Sequence, residues 1–438
     1  MRTFNQGGVH PPEYKLTADL AIERMPTPAR LVILLSQHLG KPAKPIVGKG
    51  DKVKKGQLIG AADGFISSNI HAATSGTVHS LEERWPAPTG QYAPAIVIES
   101  DGTETWADGL NIDEEKPLEL SREEKLKRIS DAGIVGMGGA GFPTHVKLNP
   151  PKDKTIDTFI LNGAECEPFL TPDYRLMLER PAEILKGLEI AASLFSKDTK
   201  IYIGIEENKP EAVKAMEKAA QGGPFTVVSL KTKYPQGCEK QLINTITGRT
   251  MKEGQLPFDV GALVHNVATM FALYEAVAKK RPLVERVLTL SGMEVKNRKN
   301  LIVTVGSLVK DVIEHTGGTT TEINQVIIGG PMMGKAQYTC DVPVTKTTSG
   351  ILLINNTEID SLRERPCVRC GKCISACPQG RQPWLLADLG QQRRLGDMPG
   401  CGLMDCMECG SCTYVCPARR NIVQWIKYGK AVNAARKR

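Results

Sequence analysis

Eight of the twelve cysteines in this 438-residue chain fall in two runs that share one spacing. The first run reads CVRCGKCISACP and the second reads CMECGSCTYVCP, so both follow the pattern C-x2-C-x2-C-x3-C-P. Two successive C-x2-C steps present three thiolates from one tight loop, which suits three corners of a cubane iron–sulfur cluster. A tetrahedral zinc site would instead use C-x2-C pairs with a longer spacer between them. The spacing therefore predicts two 4Fe–4S clusters, with a pair of zinc knuckles as the alternative.

The fourth cysteine of each run decides how the two clusters share their ligands. In two-cluster ferredoxins it ligates the cluster of the other run, so we expect the runs to interleave. Cluster one is expected to take Cys367, Cys370, Cys373 and Cys416, and cluster two is expected to take Cys406, Cys409, Cys412 and Cys377. Interleaved ligands would hold the two centres close enough to exchange electrons. The cysteines without partner spacing are expected to be small buried side chains, namely Cys166, Cys238, Cys340 and Cys401.

The rest of the chain must supply the domains that position these clusters. A chain of this length exceeds one core, and we expect about two to four domains. The composition, 24% charged and 41% apolar, is that of a soluble globular protein. No stretch reaches the roughly 18–20 consecutive apolar residues of a membrane span. The opening residues, MRTFNQGGVHPPEYK, lack the apolar core of a secretion signal. The sequence therefore predicts a cytoplasmic protein unless partners hold it elsewhere.

The charge pattern gives little sign of a polyanionic partner. The net charge of +8 is mild for this size and comes without interleaved aromatic and basic residues, so we predict no nucleic-acid partner. The basic C-terminal stretch NIVQWIKYGKAVNAARKR predicts a helix that is either solvated or docked on a partner or an anionic membrane surface. The stretch WLLADLGQQRRLGDM, between the cysteine runs, also predicts a helix.

A glycine-rich stretch, DAGIVGMGGAGFPTHVK, spans residues 131–147. Its glycines, Gly136, Gly138, Gly139 and Gly141, let the backbone approach a ligand closely and point N–H groups at a phosphate. The following FPTHVK predicts a helix start, whose dipole favours an anion, and Lys147 adds a positive charge. The spacing matches neither the dinucleotide-binding GxGxxG nor a P-loop. On the pattern alone, a structural turn remains the alternative.

An acidic loop follows a predicted buried strand in TFILNGAECEPFLTPDYRLM. The strand would end near Asn162, and the loop carries Glu165, Glu167 and Asp173. A strand, a polar loop and then a helix indicate an α/β layout, in which ligands bind at the carboxyl ends of the strands. We therefore expect the acidic side chains to accept hydrogen bonds from ribose hydroxyls or ring N–H groups. Each of them alone would more often be a surface charge or a helix cap.

Together these stretches resemble the flavin- and NADH-binding loops of the NADH-oxidising subunit of respiratory complex I. GMGGAGFPTHVK and NGAECEP correspond to that family's GRGGAGFPTGLKW and NADESEP. Further along, YPQGCEKQLINTITG is similar to its YICGEETALMNSLEG, and LVHNVATM is similar to its TINNVETL. The four motifs keep the same order. The resemblance implies a non-covalent FMN site and an NAD(H) site on an α/β domain.

The resemblance also implies roles for individual residues. The FMN phosphate and ribityl chain would meet Gly136, Gly138, Gly139 and Lys147, with Gly141 in the same loop. The flavin would be bordered by Asn162, Glu165, Gly237 and Asn266. The dinucleotide would meet Phe142, Glu167 and Glu239, with Phe258 as a second aromatic for the adenine. Where the family has Asp, Glu and Asn, this chain has Ala164, Cys238 and His265, so some polar contacts to the flavin are not reproduced. Hydride transfer needs no general base, and no catalytic side chain is predicted.

Further resemblances cover the flanking regions. GDKVKKGQLIG and SGTV resemble a biotinyl/lipoyl-type domain, although the hairpin tip DGFISSN lacks the carrier lysine. RVLTLSGMEVKNRKNLIVTVG and VIIGGPMMGK resemble a β-grasp module of the SLBB type. We therefore expect an N-terminal segment (1–30), a β barrel-sandwich hybrid domain (31–100), an α/β flavin/NAD-binding core (115–283) and a β-grasp SLBB domain (284–357). A ferredoxin domain with two 4Fe–4S clusters, of α+β or all-α type, would follow (360–438).

The opening TFNQGGVHPPEYKLT and this domain order resemble the C subunits of Rnf complexes, which are membrane-bound ferredoxin:NAD+ oxidoreductases coupled to Na+ or H+ transport. The resemblance implies an NAD-dependent oxidoreductase subunit, peripheral on the cytoplasmic face of the membrane. Its partners would be NAD(H) and other Rnf membrane and ferredoxin-like subunits. NAD(H) exchanges two electrons at once, whereas a cluster exchanges one, and a flavin can do both. The presence of NAD(H), flavin and cluster sites in one chain is therefore expected. The alternatives are a cobalamin reductase of a bacterial microcompartment and a non-catalytic electron-wiring scaffold that uses only the clusters.

Overall fold

The computed structural model of the protein describes residues 1–355 and 363–436. Its strands are β1 (Ile22–Arg24), β2 (Arg30–Leu34), β3 (Lys44–Pro45), β4 (Lys52–Val53), β5 (Leu58–Ala61), β6 (Ile70–His71), β7 (Gly76–Pro86), β8 (Tyr92–Ser100), β9 (Thr158–Gly163), β10 (Lys200–Glu206), β11 (Phe225–Leu230), β12 (Ala262–Asn266), β13 (Glu285–Ser291), β14 (Lys299–Thr304), β15 (Gln325–Ile328), β16 (Lys335–Gln337) and β17 (Gly350–Ile354).

The helices are α1 (Arg122–Asp131), α2 (Thr144–Lys147), α3 (Pro172–Glu179), α4 (Pro181–Ala192), α5 (Pro210–Ala220), α6 (Glu239–Thr247), α7 (Val267–Lys279), α8 (Val309–His315), α9 (Lys372–Ala376), α10 (Pro383–Gln391), α11 (Ser411–Tyr414) and α12 (Ile422–Ala435). Within the described residues, no helix has the length and apolar character needed to cross a membrane. The predicted domain boundary between residues 357 and 360, and the last two residues of the predicted ferredoxin domain, lie outside the described residues.

Two small sheets form the barrel-sandwich near the N-terminus. One has the strand order β2–β8–β7–β4 and the other has β3–β5–β6. The antiparallel pair β2 and β8 alternates its buried side chains between two apolar clusters. Leu31 and Ile33 face the interior of the sandwich, whereas Val32 and Leu34 pack beneath Leu308, just before α8. The predicted barrel-sandwich fold is confirmed, and its outer face is covered by a neighbouring domain.

A parallel sheet with the strand order β11–β10–β9–β12 carries the α/β core. Side chains of β9 alternate between two helix layers. Phe159 and Leu161 pack with α4 and α7, whereas Ile160 packs with α6. A strand buried on both faces has an almost continuous apolar sequence, as TFIL does. The carboxyl ends of these strands meet at one edge, where β9 ends with Asn162 and Gly163 and β12 ends with Asn266.

The next sheet has the order β1–β14–β13–β17–β15–β16. The hairpin β13–β14 is antiparallel, and β17 returns parallel to β13 after α8 and the pair β15–β16. A hairpin, a helix and a returning central parallel strand give the β-grasp arrangement that the sequence indicates. Its membership of the SLBB family remains a prediction. β1 pairs in parallel with β14, so the N-terminal segment contributes a strand to this sheet.

Residues 363–436 form a helical unit. α10 and α12 pack against each other around Leu386, Val423 and Ile426, with cysteines of both runs at the margin of this core. The helix predicted between the cysteine runs is present as α10. No strand occurs in residues 363–436, so of the two expected ferredoxin types this unit has the all-α one. The ligand runs themselves form short helices, α9 and α11, in place of hairpin strands.

The N-terminal segment connects the α/β core with the helical unit. Val9 forms a single antiparallel bridge with Tyr234 of the core. Gly8 donates its amide to the carbonyl oxygen of Ala376 in α9 at 2.9 Å. A Cβ at Gly7, whose φ is +67°, would lie 2.4 Å from the backbone of Cys377, so only glycine allows this close approach. The segment therefore helps to hold the cysteine runs against the α/β core.

Candidate functional site

The two cysteine runs fold alike. Left-handed backbone recurs at matched positions, namely Arg369 and Gly371 in the first run and Glu408 and Gly410 in the second. In both runs the amide of the residue two places after the first cysteine donates to that cysteine's Sγ at 3.4 Å. Each glycine then starts a short helix that carries the third cysteine. The two runs, which share one cysteine spacing, therefore also share one backbone geometry, in which an N–H group donates to the first cysteine.

The cysteine set expected for cluster two lines one pocket. Cys406, Cys409 and Cys412 of the second run surround it together with Cys377 of the first run. The amide of Arg381 donates to Cys377 Sγ at 3.4 Å. Four thiolate donors around an enclosed space, with an N–H group directed at sulfur, match the ligand chemistry of a 4Fe–4S cluster.

The cysteine set expected for cluster one lies nearer to solvent. Cys373 is buried and lies within electrostatic range of Cys367 and Cys416, so this group also draws on both runs. Cys370 is exposed. The guanidinium of Arg420, which is almost completely buried, pairs with Asp388 at 2.6 Å beside this group. The two sets therefore differ in environment, since one is enclosed by protein and the other is near the surface.

The segment between Tyr234 and Gln241 joins the enclosed cysteine set to the α/β core. The Tyr234 hydroxyl donates to the carbonyl oxygen of Cys409 at 2.7 Å, and Gln241 Nε2 donates to the carbonyl oxygen of Pro378 at 3.1 Å. Between them, Cys238 Sγ lies 3.1 Å from Met407 Sδ. Cys238, expected only to be a small buried side chain, is thus in direct contact with the second ligand loop.

The same segment borders the predicted flavin site from the other side. Asn162 Nδ2 donates to the carbonyl oxygen of Gly237 at 2.8 Å. Asn162 is also the register partner of Asn266, because β9 and β12 run in parallel and end together. A Cβ at Gly138 would lie 2.8 Å from Asn266 Cβ, so the glycine-rich loop passes directly over this residue. The structure therefore brings these four predicted residues into one place.

The glycine-rich loop leaves amides available at its tip. Gly136 donates to the carbonyl oxygen of Phe142 at 2.9 Å, and Met137 donates to Thr269 Oγ1 at 3.0 Å. Within the described part of the chain, the amides of Gly138 and Gly139 donate to no protein acceptor. A Cβ at Gly139 would meet no atom within 4 Å. Open space and unpaired N–H groups fit a phosphate or a polar ligand chain.

Gly141 serves a different purpose from the tip glycines. Its φ is +71°, and its carbonyl oxygen accepts from the amide of Leu39 in the barrel-sandwich at 3.1 Å. A Cβ there would lie 2.9 Å from Thr347 Cγ2 of the segment before β17. Gly141 therefore holds the loop against two neighbouring domains instead of opening towards the pocket.

Lys147, which ends the helix after the glycine loop, forms an ion pair with Glu239, two residues after Gly237. Lys147 Nζ lies 2.6 Å from Glu239 Oε1 and also donates to the carbonyl oxygen of Val264 at 2.6 Å. Both side chains keep partial solvent exposure, and Glu239 is the first residue of α6. The pair places a cation and an anion side by side, where each can also reach an incoming ligand.

Glu165 caps α3 with its carboxylate. The amides of Asp173 and Tyr174 donate to its two oxygens at 2.8 and 3.1 Å. Burial raises the pKa of Glu165 to about 7. Asp173 accepts from Asn266 Nδ2 at 2.5 Å through one oxygen, and its other oxygen is buried without a hydrogen-bond partner among the described residues. This buried oxygen without a donor lies among residues expected to border the flavin, and a ligand that brought a donor to it would satisfy it.

Glu167 lies beneath the turn of residues 329–334, which we call the methionine turn. The amides of Met332 and Met333 donate to its carboxylate oxygens at 3.1 and 2.8 Å. A Cβ at Gly330 would lie 2.3 Å from Glu167 Oε2. Burial raises the pKa of Glu167 to about 7. The carboxylate that the resemblance assigns to the dinucleotide is therefore engaged with backbone amides of the β-grasp domain.

Two lysines that the sequence analysis did not identify donate hydrogen bonds to backbone carbonyl oxygens of the acidic loop after β9. Lys15 Nζ donates to the carbonyl oxygens of Glu165, Glu167 and Leu170 at 2.9, 2.8 and 2.7 Å. Lys209 Nζ donates to the carbonyl oxygen of Ala164 at 2.8 Å. Lys15 belongs to the stretch GGVHPPEYK, but no local pattern links it to a loop 150 residues away. Burial lowers the pKa of Lys15.

Two of the sequence departures from the flavin family are buried. Ala164 packs in the core beside α6, and a Cβ at Gly237 would lie 3.5 Å from its methyl group, so Ala164 adds an apolar contact next to the Gly237 segment. His265 stacks on Phe159 with the ring centroids 5.3 Å apart, since alternate residues of β12 face opposite sides. Burial lowers the pKa of His265 well below its usual value. Phe142 is half-buried beside the glycine loop, whereas Phe258 packs against the main apolar core.

Three family models match successive parts of the chain. Residues 3–103 match the RnfC barrel sandwich hybrid domain, residues 129–275 match the Nuo51 FMN-binding domain, and residues 366–419 match a 4Fe–4S dicluster domain. A chain of the NAD+-reducing NiFe hydrogenase in its H2-reduced state has a similar fold, with a TM-score of 0.51 and 17% identity over 72% of this chain and 63% of that chain. The matches agree with the sheets and cysteine runs described above.

Curated relatives match almost the whole chain. The C subunit of the proton-translocating ferredoxin:NAD(+) oxidoreductase complex of Clostridium ljungdahlii is 49% identical, covering 98% of this chain and 94% of its own length. The C subunit of the Na(+)-translocating complex of Acetobacterium woodii is 42% identical over 99% and 98%. The C subunit of the ion-translocating oxidoreductase complex of Rhodobacter capsulatus is 43% identical over 97% and 82%. At this identity over nearly its full length, the chain belongs to the family of C subunits of Rnf-type ion-translocating oxidoreductase complexes.

Proposed function

We propose that this protein exchanges electrons between NAD(H) and two 4Fe–4S clusters by way of a non-covalent FMN, as the peripheral C subunit of a ferredoxin:NAD+ oxidoreductase complex. One observation carries the proposal: a single segment borders both candidate sites. Gly237 bonds to Asn162 at the glycine loop, and the next residue, Cys238, touches Met407 between two cluster-two cysteines. The two sites are therefore neighbours across this segment.

The residues present fit FMN. The free amides of Gly138 and Gly139 suit its phosphate, and Lys147, on the short helix that follows the glycine loop, supplies a positive charge. The unpartnered oxygen of Asp173 and the amide side chain of Asn162 suit the polar groups of the flavin and its side chain. When bound, FMN would supply the change between two-electron and one-electron exchange that no side chain provides. The protein's part is to hold it against the Gly237 segment and to exclude water.

The cysteine sets fit two clusters with interleaved ligands. Cluster two would be held by the enclosed set that draws Cys377 from the first run, and cluster one by the set that draws Cys416 from the second run. Amide donors to Cys367, Cys377 and Cys406 would stabilise the charge on the sulfur ligands. We propose that cluster two is the one nearer the flavin, because its ligand loop contacts the α/β core directly.

NAD(H) would bind on the solvent side of the flavin pocket, between Phe142 and Glu239. Phe142 offers an aromatic face, and Glu239 offers an acceptor for ribose hydroxyls once its pair with Lys147 opens. Glu167 could join only if the amides of Met332 and Met333 released it. We therefore assign dinucleotide contacts to Phe142 and Glu239, and we make the role of Glu167 conditional on movement of the methionine turn.

The family supports a proposal about partners and location. The relatives are named as subunits of complexes that translocate H+ or Na+. Since no described helix of this chain can span a membrane, we propose that other subunits carry the ion and hold this chain at the cytoplasmic face. Electrons would reach the clusters from an iron–sulfur partner and leave as NADH, or run in reverse.

A cluster-only electron-wiring scaffold is the second candidate. Two contacts favour it. The amides of the methionine turn hold Glu167, and Lys147 pairs with Glu239, so both carboxylates expected to bind the dinucleotide already have partners. Electron paramagnetic resonance of anaerobic protein before and after NADH separates the two. Our proposal expects both clusters to be reduced by NADH, no reduction after FMN is stripped, and recovery when FMN is returned. If NADH does not reduce the clusters of FMN-loaded protein, the scaffold is established instead.

A further inference from the structure

The two equivalent ligand loops have opposite surroundings. Met407, which follows the first cysteine of the second run, is in contact with Cys238 of the α/β core. Its counterpart in the first run is Val368, which is 66% exposed. Ile374, on the same loop, is also exposed. The second loop therefore uses an apolar residue beside its cysteines to dock on the flavin domain, and the first loop presents the same feature to solvent.

The charges of the two loops also differ. Where the second run has Glu408, the first has Arg369, and where the second has Ser411, the first has Lys372. Arg369 and Lys372 are exposed and pair with no acidic side chain among the described residues. Arg365, just before the run, is exposed as well. The surface around Val368 thus has an apolar centre and a cationic rim.

Acidic residues near this surface do not neutralise it. Glu364 accepts hydrogen bonds from Gln391 and Asn421 and lies 3.7 Å from the buried guanidinium of Arg420. In the second loop the carboxylate of Glu408, the counterpart of Arg369, pairs with Lys430 at 2.9 Å, so that loop is internally balanced. Among the described residues, no acidic side chain pairs with Arg365, Arg369 or Lys372, so no described carboxylate balances the charge of the first loop.

We propose that this surface, which we call the run-one face and define by Arg365, Val368, Arg369, Lys372 and Ile374, docks an acidic iron–sulfur protein or domain. The inference rests on the proposed function, which requires a one-electron partner at the clusters. Electron exchange between proteins needs a cluster close to the surface, and Cys370 of the first run is exposed here. Charge complementarity selects an acidic partner, and a second copy of this chain would set one cationic face against another.

Binding of a purified acidic 4Fe–4S ferredoxin to the full-length, cofactor-loaded protein tests the proposal. Titration calorimetry at low ionic strength would compare wild type with the double variant Arg365→Glu/Lys372→Glu. We expect Kd to rise at least about tenfold in the variant, with a shallower dependence on salt, because rim charges set electrostatic complementarity. Arg369 is left in place because it lies between two expected ligands in a left-handed backbone position (φ +52°), where a substitution would also perturb the ligand loop. The matched control is Lys214→Glu/Lys218→Glu, on the exposed face of α5, which carries the same charge change and should bind like wild type.

Each further outcome has one meaning. Equal Kd for wild type and the run-one variant, or an equal loss in the α5 control, would overturn the docking site. A wild-type dimer in solution that Val368→Glu dissociates would assign the face to a second copy, and binding to anionic vesicles but not to ferredoxin would assign it to a membrane. Cluster signals and NADH reduction are recorded in parallel. If wild-type protein lacked these cluster signals and was not reduced by NADH, the proposed function would be refuted. If wild-type protein showed both and the run-one variant bound ferredoxin as tightly as wild type, the docking site alone would be refuted.

Discussion

Replacing Lys15 by methionine should weaken FMN binding although Lys15 lies outside the expected flavin contacts. Its ammonium donates to three carbonyl oxygens of the loop of residues 165–170, at 2.9, 2.8 and 2.7 Å. That loop carries Glu165, which caps α3 and stands beside Asp173 and Asn266. Methionine has a similar length but no donor, so it would leave three carbonyl oxygens without their partner.

The size of the effect follows from two opposing contributions. A hydrogen bond from a charged donor contributes about 1.5–3 kcal/mol, and three such bonds are lost. Burial of the ammonium is itself unfavourable, which is why the pKa of Lys15 is lowered, and the substitution removes that cost. We therefore expect a net loss of about 2–3 kcal/mol in the free energy of unfolding. If about half of it is expressed at the pocket, FMN affinity falls about tenfold.

Fluorescence quenching of FMN titrated with apoprotein measures the affinity, and denaturant unfolding measures the stability. Lys55→Met is the matched control. Lys55 is also buried and is paired with Glu104 and Glu285, but it lies in the barrel-sandwich. Its loss should lower stability by about 3–5 kcal/mol and leave FMN affinity unchanged. A Lys15→Met protein that loses stability but binds FMN as tightly as wild type would refute a positioning role for Lys15.

Three further predictions test separate parts of the site. Gly138→Ala would place a Cβ 2.8 Å from the neighbouring asparagine and should weaken FMN binding about 10- to 100-fold, whereas Gly400→Ala, in the helical unit, meets no atom within 4 Å and should stay within about twofold. Because burial raises the pKa of Glu167 to about 7, the folded state binds the extra proton between the unfolded value of 4.5 and 7, and stability falls as pH rises through that window. Glu167→Gln should flatten this slope, by up to about 3 kcal/mol between about pH 5 and 8, in denaturant unfolding. Cys377→Ser and Cys406→Ser should abolish the same cluster signal in paramagnetic resonance although they lie in different runs, and loss of different signals would contradict interleaved ligands.

Local patterns predicted several of the elements that carry the candidate site. Cysteine spacing and the glycine loop depend on short stretches of sequence, and the structure gives both runs the same backbone. The strand TFILNG is present as β9, because a strand buried on both faces must be apolar throughout. The helix between the runs follows from its apolar periodicity. In each case neighbouring residues alone determine the outcome.

Contacts between distant parts of the chain could not be predicted in this way. Lys15 reaches a loop 150 residues away, and Glu167 is held by amides of Met332 and Met333, 165 and 166 residues away. Backbone amides have no side-chain signature, so nothing in the sequence marks the methionine turn as their source. Cys238 illustrates the same limit, since its contact with Met407 depends on how the helical unit packs against the α/β core.

Cofactor content together with the response to NADH tests the central claim most directly. Iron, acid-labile sulfide and FMN would be measured per chain on anaerobically purified protein, and the visible spectrum would then be followed after addition of NADH. Two 4Fe–4S clusters and one flavin correspond to about eight iron, eight sulfide and one FMN, with rapid bleaching of both chromophores. A protein with about eight iron but no flavin, whose visible spectrum does not change with NADH even after FMN is added back, would contradict electron exchange between NAD(H) and the clusters through FMN.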